Sequence, residues 1–138
     1  MIALDTNALV RLLIEDNPDQ ARVVRTAASH AEANSQQVLI LSEVLIETVW
    51  VLESVYGCPR NEIANFLDTL MSAPTYAMPD KLVIQKAAVL YREGKDFADL
   101  IIVEQARKHQ AQKLLSFDKK LQKMFPDFVV ADVSTCST

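Results

Sequence analysis

The sequence predicts one α/β domain with a mostly parallel central sheet of about four to five strands flanked by helices. Three observations carry that expectation. Short apolar runs alternate along the chain with segments of helical period. Most of those runs give way to a polar residue suited to capping the helix that follows. The length of 138 residues suits a single core. No internal repeat, linker or low-complexity segment divides the chain, and the domain is read over residues 1–132 with a polar tail over 133–138.

The first strand is the run Ile2 to Leu4, which ends in Asp5, Thr6 and Asn7. Ala8 to Ile14 has helical tolerance and stops at Glu15 and Asp16. Asn17 and Pro18 are a cap and a first-turn residue for the next helix, whose apolar face is Ala21, Val24, Ala28 and Ala31. Val38 to Leu41 is a second buried strand, and Ser42 is read as the cap of a strongly apolar helix running to Tyr56. Gly57 and Pro59 end that helix. Ile63, Phe66, Leu67 and Leu70 mark one side of another helix, and Thr75 to Met78 is a weak third strand. Asp80 is read as the cap of a helix that stops at Gly94, and Asp96 opens a further helix to about Gln110. Lys113 to Phe117 is a fourth strand ending at Asp118, Lys119 to Phe125 a short helix, and Phe128 to Ala131 a last strand.

Composition excludes several classes of function. Only two glycines occur, Gly57 and Gly94, so Gly-rich phosphate loops and dinucleotide fingerprints are absent. A net charge of −4 supplies no global basic field for nucleic acid, though metal ions can provide the positive charge that phosphate chemistry needs. The longest apolar runs are too short to span a bilayer, and the N-terminus lacks the basic segment of a secretory signal. The two cysteines, Cys58 and Cys136, form neither a disulfide framework nor a zinc spacing. Free thiols in a reducing, cytoplasmic location are expected.

Several acids sit where structure alone explains them poorly. Glu47 lies within Val44 to Leu52, a helical stretch apolar nearly all round, where a carboxylate must find partners or be costly to bury. Glu43, one turn earlier on the same face, is explained by the helix dipole. Asp99 is flanked by Phe97, Ala98 and Leu100 to Val103, so apolar surroundings are expected. Asp96 is a good cap, and Asp118 ends an apolar strand in the same strand-to-helix position as Asp5, so capping and chemistry both remain open for them. The two strand-end acids are expected at one shared sheet edge, with the helix acids beside them. Carboxylates converging in a partly dry site do not all stay ionised without a cation. His30 and His109 accompany no acid in a ligand spacing, and an all-oxygen set suits Mg2+ or Mn2+. Such sites typically serve attack of water on phosphodiesters.

The motifs Leu4-Asp5-Thr6-Asn7, Ser42-x-Val44-x-x-Glu47, Asp96-Phe97-Ala98-Asp99 and Ser116-Phe117-Asp118 resemble those of PIN domains, and most closely the VapC-type toxin ribonucleases of toxin–antitoxin pairs. The resemblance spans nearly the whole chain. It implies a metal-dependent endoribonuclease with the acidic quartet Asp5, Glu47, Asp99 and Asp118, and Asp96 as an extra ligand or water-positioning acid. It implies that Thr6 or Asn7 orients Asp5 and that Ser116 supports the final acid. Partners implied are an RNA substrate, a cognate antitoxin and a second copy of the chain, with no membrane. Arg11, Arg22, Arg25, Lys108, Lys119 and Lys120 are candidate phosphate contacts. Three other readings compete. A phosphatase of the haloacid-dehalogenase type also begins with a strand-end Asp, but requires a second Asp where this chain has Asn7. A receiver-like phosphoacceptor lacks a counterpart for its lysine near the last strand. A non-catalytic scaffold of the same fold is the leading non-enzyme reading.

Overall fold

The computed structural model describes residues 1–135; Cys136 and the rest of the expected tail lie outside the described residues. In chain order the elements are β1 (Ile2–Ala3), α1 (Thr6–Leu13), α2 (Pro18–Ala33), β2 (Val38–Leu39), α3 (Ser42–Ser54), α4 (Arg60–Ser72) and β3 (Tyr76–Ala77). They continue with α5 (Lys81–Arg92), α6 (Phe97–Lys108), β4 (Leu114–Leu115), α7 (Lys119–Met124), β5 (Val129–Val130) and a 3-10 turn, Val133–Thr135. The α/β class and the parallel pairing are as predicted. The polar tail begins in order, since the Asp132 carboxylate accepts from the Ser134 N–H at the start of that turn.

The sheet is smaller than expected and split in two. β1, β2 and β3 form a three-stranded parallel sheet in that order, with Ile2 opposite Val38 and Val38 opposite Tyr76. β4 and β5 pair separately, Leu114 opposite Val129. The split follows the packing. Leu4, Val38 and Ile40 belong to the main core with α3, α4, α5 and the start of α6, including Leu45, Leu67, Ile84, Tyr91, Phe97 and Leu100. Val129 buries instead against Val103, Leu121 and Phe128, so the last strand pair has a small core of its own. Asp5 and Asp118 therefore follow strands of different sheets, which corrects the expectation of one shared hydrogen-bonded edge.

Helix starts explain much of the local order. Asp5, Asn17, Asp96 and Asp118 each accept a backbone N–H from the first turn of the helix they precede. Two expected caps differ. Leu41 holds the extended cap position before α3, so Ser42 is the first helical residue, and its buried hydroxyl donates to Glu43 Oε1 at 3.0 Å. Asp80 stands at the cap position of α5 without bonding it, because its carboxylate accepts from Gln105 and from the Lys108 ammonium of α6.

Candidate active site

α3 presents a stripe of side chains toward the start of α6. Glu43, Glu47, Trp50 and Glu53 recur at helical spacing and line an open hollow of about 420 Å3 together with Asp96, Phe97 and Ala98. Glu47 is exposed, which corrects the expected burial. The apolar residues beside it fall on another side of α3, where Leu45, Thr48, Val49 and Leu52 face the core.

A second hollow, of about 500 Å3, adjoins the first through Glu53 and Asp96 and adds Asp99 and Asp118. The helices that build it are set by their own caps: Asp96 Oδ2 accepts the Asp99 N–H at 3.0 Å, and Asp118 Oδ1 accepts from Lys120 and Leu121 at 2.9 and 3.2 Å. Asp99 comes one turn into α6, half-buried beside the fully buried Leu100. Its carboxyl is pushed above the ordinary carboxylate value, first by burial and then by the charges of Asp96 and Asp118. Ser116 supports the last acid, its Oγ accepting the Asp118 N–H at 3.2 Å.

Asp5 lines neither hollow. It stands exposed at the start of α1, with Oδ1 accepting from Ala8 N–H at 2.9 Å. Thr6 beside it is buried and Asn7 exposed, and among the described residues neither bonds the Asp5 carboxylate. Among the described residues, no three of the Asp, Glu, His and Cys side chains are gathered closely enough to form a ready-made metal cage. Asp96, Asp99 and Asp118 share one hollow, and Glu47 lines the adjoining one with Asp96.

Two groups at the site escaped sequence reasoning. The Arg60 guanidinium donates to the Tyr91 and Lys95 carbonyls at 2.8 and 2.7 Å and lies 4.3 Å over the Tyr91 ring. Glu53 accepts the Tyr91 hydroxyl at 2.8 Å and pairs with Arg60 at 3.9 Å. Burial and Glu53 together raise the Tyr91 phenol far above its usual value. This clasp holds the turn at Gly94, whose φ of +104° favours glycine, and so fixes the backbone leading into Asp96. Glu53 had a signal, its helical spacing from Glu43 and Glu47. Arg60 had none, because its partners are carbonyls more than thirty residues away.

The family model of the PIN domain matches residues 2–125. The chain belongs to the PIN-domain family. This PIN domain is also similar to a protein named VapC ribonuclease from Aquifex aeolicus (strain VF5), 25% identical over 126 residues that make up 90% of this chain and 92% of that protein. No solved structure matches the chain significantly. Among the described residues, no helix is long and apolar enough to cross a membrane.

Of the cations expected to meet phosphate, Arg11, Arg22, Arg25 and Lys108 are engaged in ion pairs with Asp16, Asp19, Glu15 and Asp80. Lys119 and Lys120 form none among the described residues.

Proposed function

We propose that this PIN domain is a metal-dependent endoribonuclease acting as the toxin of a toxin–antitoxin pair. The observation that carries the reading is the gathering of Asp96, Asp99 and Asp118 in one hollow that continues, through Asp96, to Glu47. The relative named VapC ribonuclease, matched along nearly its whole length, supports the substrate class.

The donor set fits Mg2+ or Mn2+ by its chemistry, since it offers only hard carboxylate oxygens and crowds like charge around Asp99. Asp99 and Asp118 would hold the cation, with Asp96 holding it or a water beside it; Glu47, from the adjoining hollow, and Asp5, which lines neither hollow, would complete the set by moving toward them. When bound, the cation supplies the positive charge that brings a phosphodiester and an attacking water into an acidic site. The chain's own residues do the rest. Asp96 and Asp118 each use one oxygen as a helix cap, which fixes the carboxylate's direction. Ser116 holds the backbone of Asp118, and the Arg60 clasp holds that of Asp96.

A cognate antitoxin and a second copy of the chain are the proposed protein partners, in the cytoplasm. The exposed Leu41 and Trp50, the latter at the rim of the Glu47 hollow, offer apolar surface for one of them. The direct test is cleavage of a labelled single-stranded RNA with Mn2+, by the parent and by Asp99→Asn. Equal rates at saturating Mn2+ would overturn the reading. A non-catalytic scaffold of the same fold is the competing reading, and it predicts that Mn2+ leaves thermal stability unchanged.

A further inference from the structure

The fourteen lysines and arginines of this acidic chain are not used evenly. Among the described residues, eight of them enter ion pairs: Arg11, Arg22, Arg25, Arg60, Lys86, Arg92, Arg107 and Lys108. Six lysines do not, and half of those six, Lys95, Lys120 and Lys123, line the hollow that holds Asp96, Asp99 and Asp118. Cations placed around a group of carboxylates would ordinarily close onto them. Here, among the described residues, none of the three lysines pairs with Asp96, Asp99 or Asp118, while Arg60 pairs with Glu53 in the same hollow.

The separation is built into the fold. Lys120 and Lys123 are three residues apart on α7, and so share a face of that helix. α7 is held by the Asp118 cap and by the buried Leu121. Lys95 sits on the turn whose carbonyl Arg60 grips. The bonds that place the acids therefore place the lysines as well. A ligand that satisfies both needs spaced negative charges for the lysines and one group to be shared with the acids through a cation. A polynucleotide backbone has that form, and the hollow of about 500 Å3 has room for about one or two nucleotides of a single strand.

We propose that Lys95, Lys120 and Lys123 are the phosphate-binding residues of this site, and that they hold single-stranded RNA on the phosphates flanking the one to be cut. This rests on the nuclease reading and deepens it by assigning the strand's track across α7 and the α5–α6 turn. The three ammonium groups bind and orient the strand; they do not take part in bond breaking.

The experiment compares the parent with the triple variant Lys95→Gln, Lys120→Gln, Lys123→Gln on a fluorescein-labelled single-stranded RNA 12-mer. Cleavage kinetics with Mn2+ are measured from 50 to 200 mM KCl, and binding of the same RNA and of its duplex is followed by anisotropy in an Asp99→Asn background. Each single-strand phosphate contact contributes about 0.7 to the slope of log affinity against log salt, so losing three lowers the slope by about 2. Over that fourfold salt range, the parent's affinity then falls roughly 20-fold further than the variant's. KM should rise and its salt dependence weaken correspondingly, while kcat stays within about twofold. The single change Lys123→Gln, at an exposed position, should lower the slope by about 0.7 and guards against misfolding of the triple variant. If the parent cleaves RNA and the variants keep its KM and salt slope, the assignment is wrong and the nuclease reading stands. A fall in kcat alone would also overturn it, as would an equal loss of duplex binding. If the parent neither binds nor cuts RNA, both readings fall together.

Discussion

Asp118 is asked to do two things at once, and substitution separates them. As a cap, Oδ1 accepts from Lys120 and Leu121 at 2.9 and 3.2 Å. Asn caps about as well as Asp, whereas Ala costs about 1 kcal/mol and at most ~2 kcal/mol. For a domain of 138 residues, about 1 kcal/mol lowers Tm by roughly 4 °C. As a cation ligand beside Asp99 it acts through its charge, which both variants lose. A contribution of several kcal/mol to metal-assisted attack corresponds to a loss on the order of 100- to 1,000-fold in rate. Asp118→Asn is therefore expected to melt within about 2 °C of the parent and to be nearly inactive. Asp118→Ala should melt roughly 4–8 °C lower and be inactive to the same degree. Differential scanning fluorimetry and single-turnover RNA cleavage read the two effects independently. The reasoning is refuted if Asp118→Asn cleaves at the parental rate while Asp118→Ala loses activity only in step with its folded fraction, because Asp118 would then be a cap and nothing more.

The raised carboxyl of Asp99 makes the metal-free protein sensitive to pH. A carboxyl with a higher pKa folded than unfolded erodes stability as pH rises from its ordinary value of 3.8 through the raised one. Asp99→Asn removes that erosion, so its Tm advantage over the parent should grow with pH across that window and level off above it; a difference independent of pH contradicts the crowding. Mn2+ at about 100 times its Kd should stabilise the parent by about 2.7 kcal/mol and Asp99→Asn much less, as read by thermal shift. Arg60→Ala abandons two carbonyls and the Tyr91 ring and should cost about 2–3 kcal/mol in urea unfolding, while Arg60→Lys recovers only part of it. Equal stability of Arg60→Lys and the parent would show that the clasp needs only a charge.

Much of the fold was readable because helix periods and strand ends are local signals. Asn17 caps its helix as expected, and Asp5, Asp96 and Asp118, for which capping was one of two open readings, cap theirs as well. The division of the sheet was hidden, since strands of two residues leave no periodicity and their pairing depends on which core takes the side chains. Glu47 misled because a helix rich in apolar residues was read as apolar on every side, whereas Glu43, Glu47 and Trp50 occupy an exposed stripe. Ser42 misled because an extended leucine precedes it and already fills the cap position. The clasp of Arg60 and Glu53 lay beyond sequence reasoning, as it joins α3 and α4 to a turn far along the chain.

The separate small core under β4 and β5 gives the acidic neighbourhood a seam. Asp96 and Asp99 ride on the part of α6 that packs into the main core through Phe97, Leu100 and Ile101. Asp118 rides on a lobe of four buried residues, joined to the rest through Val103 of the same helix and through Phe125, which touches both cores. So slight a lobe is the first to open in local unfolding. Its amides, from about Leu114 to Val130, should exchange with solvent before those of α3 or α5. A cation shared between Asp99 and Asp118 would work as a cross-brace over the seam, slowing that exchange and making the lobe's breathing a gauge of occupancy.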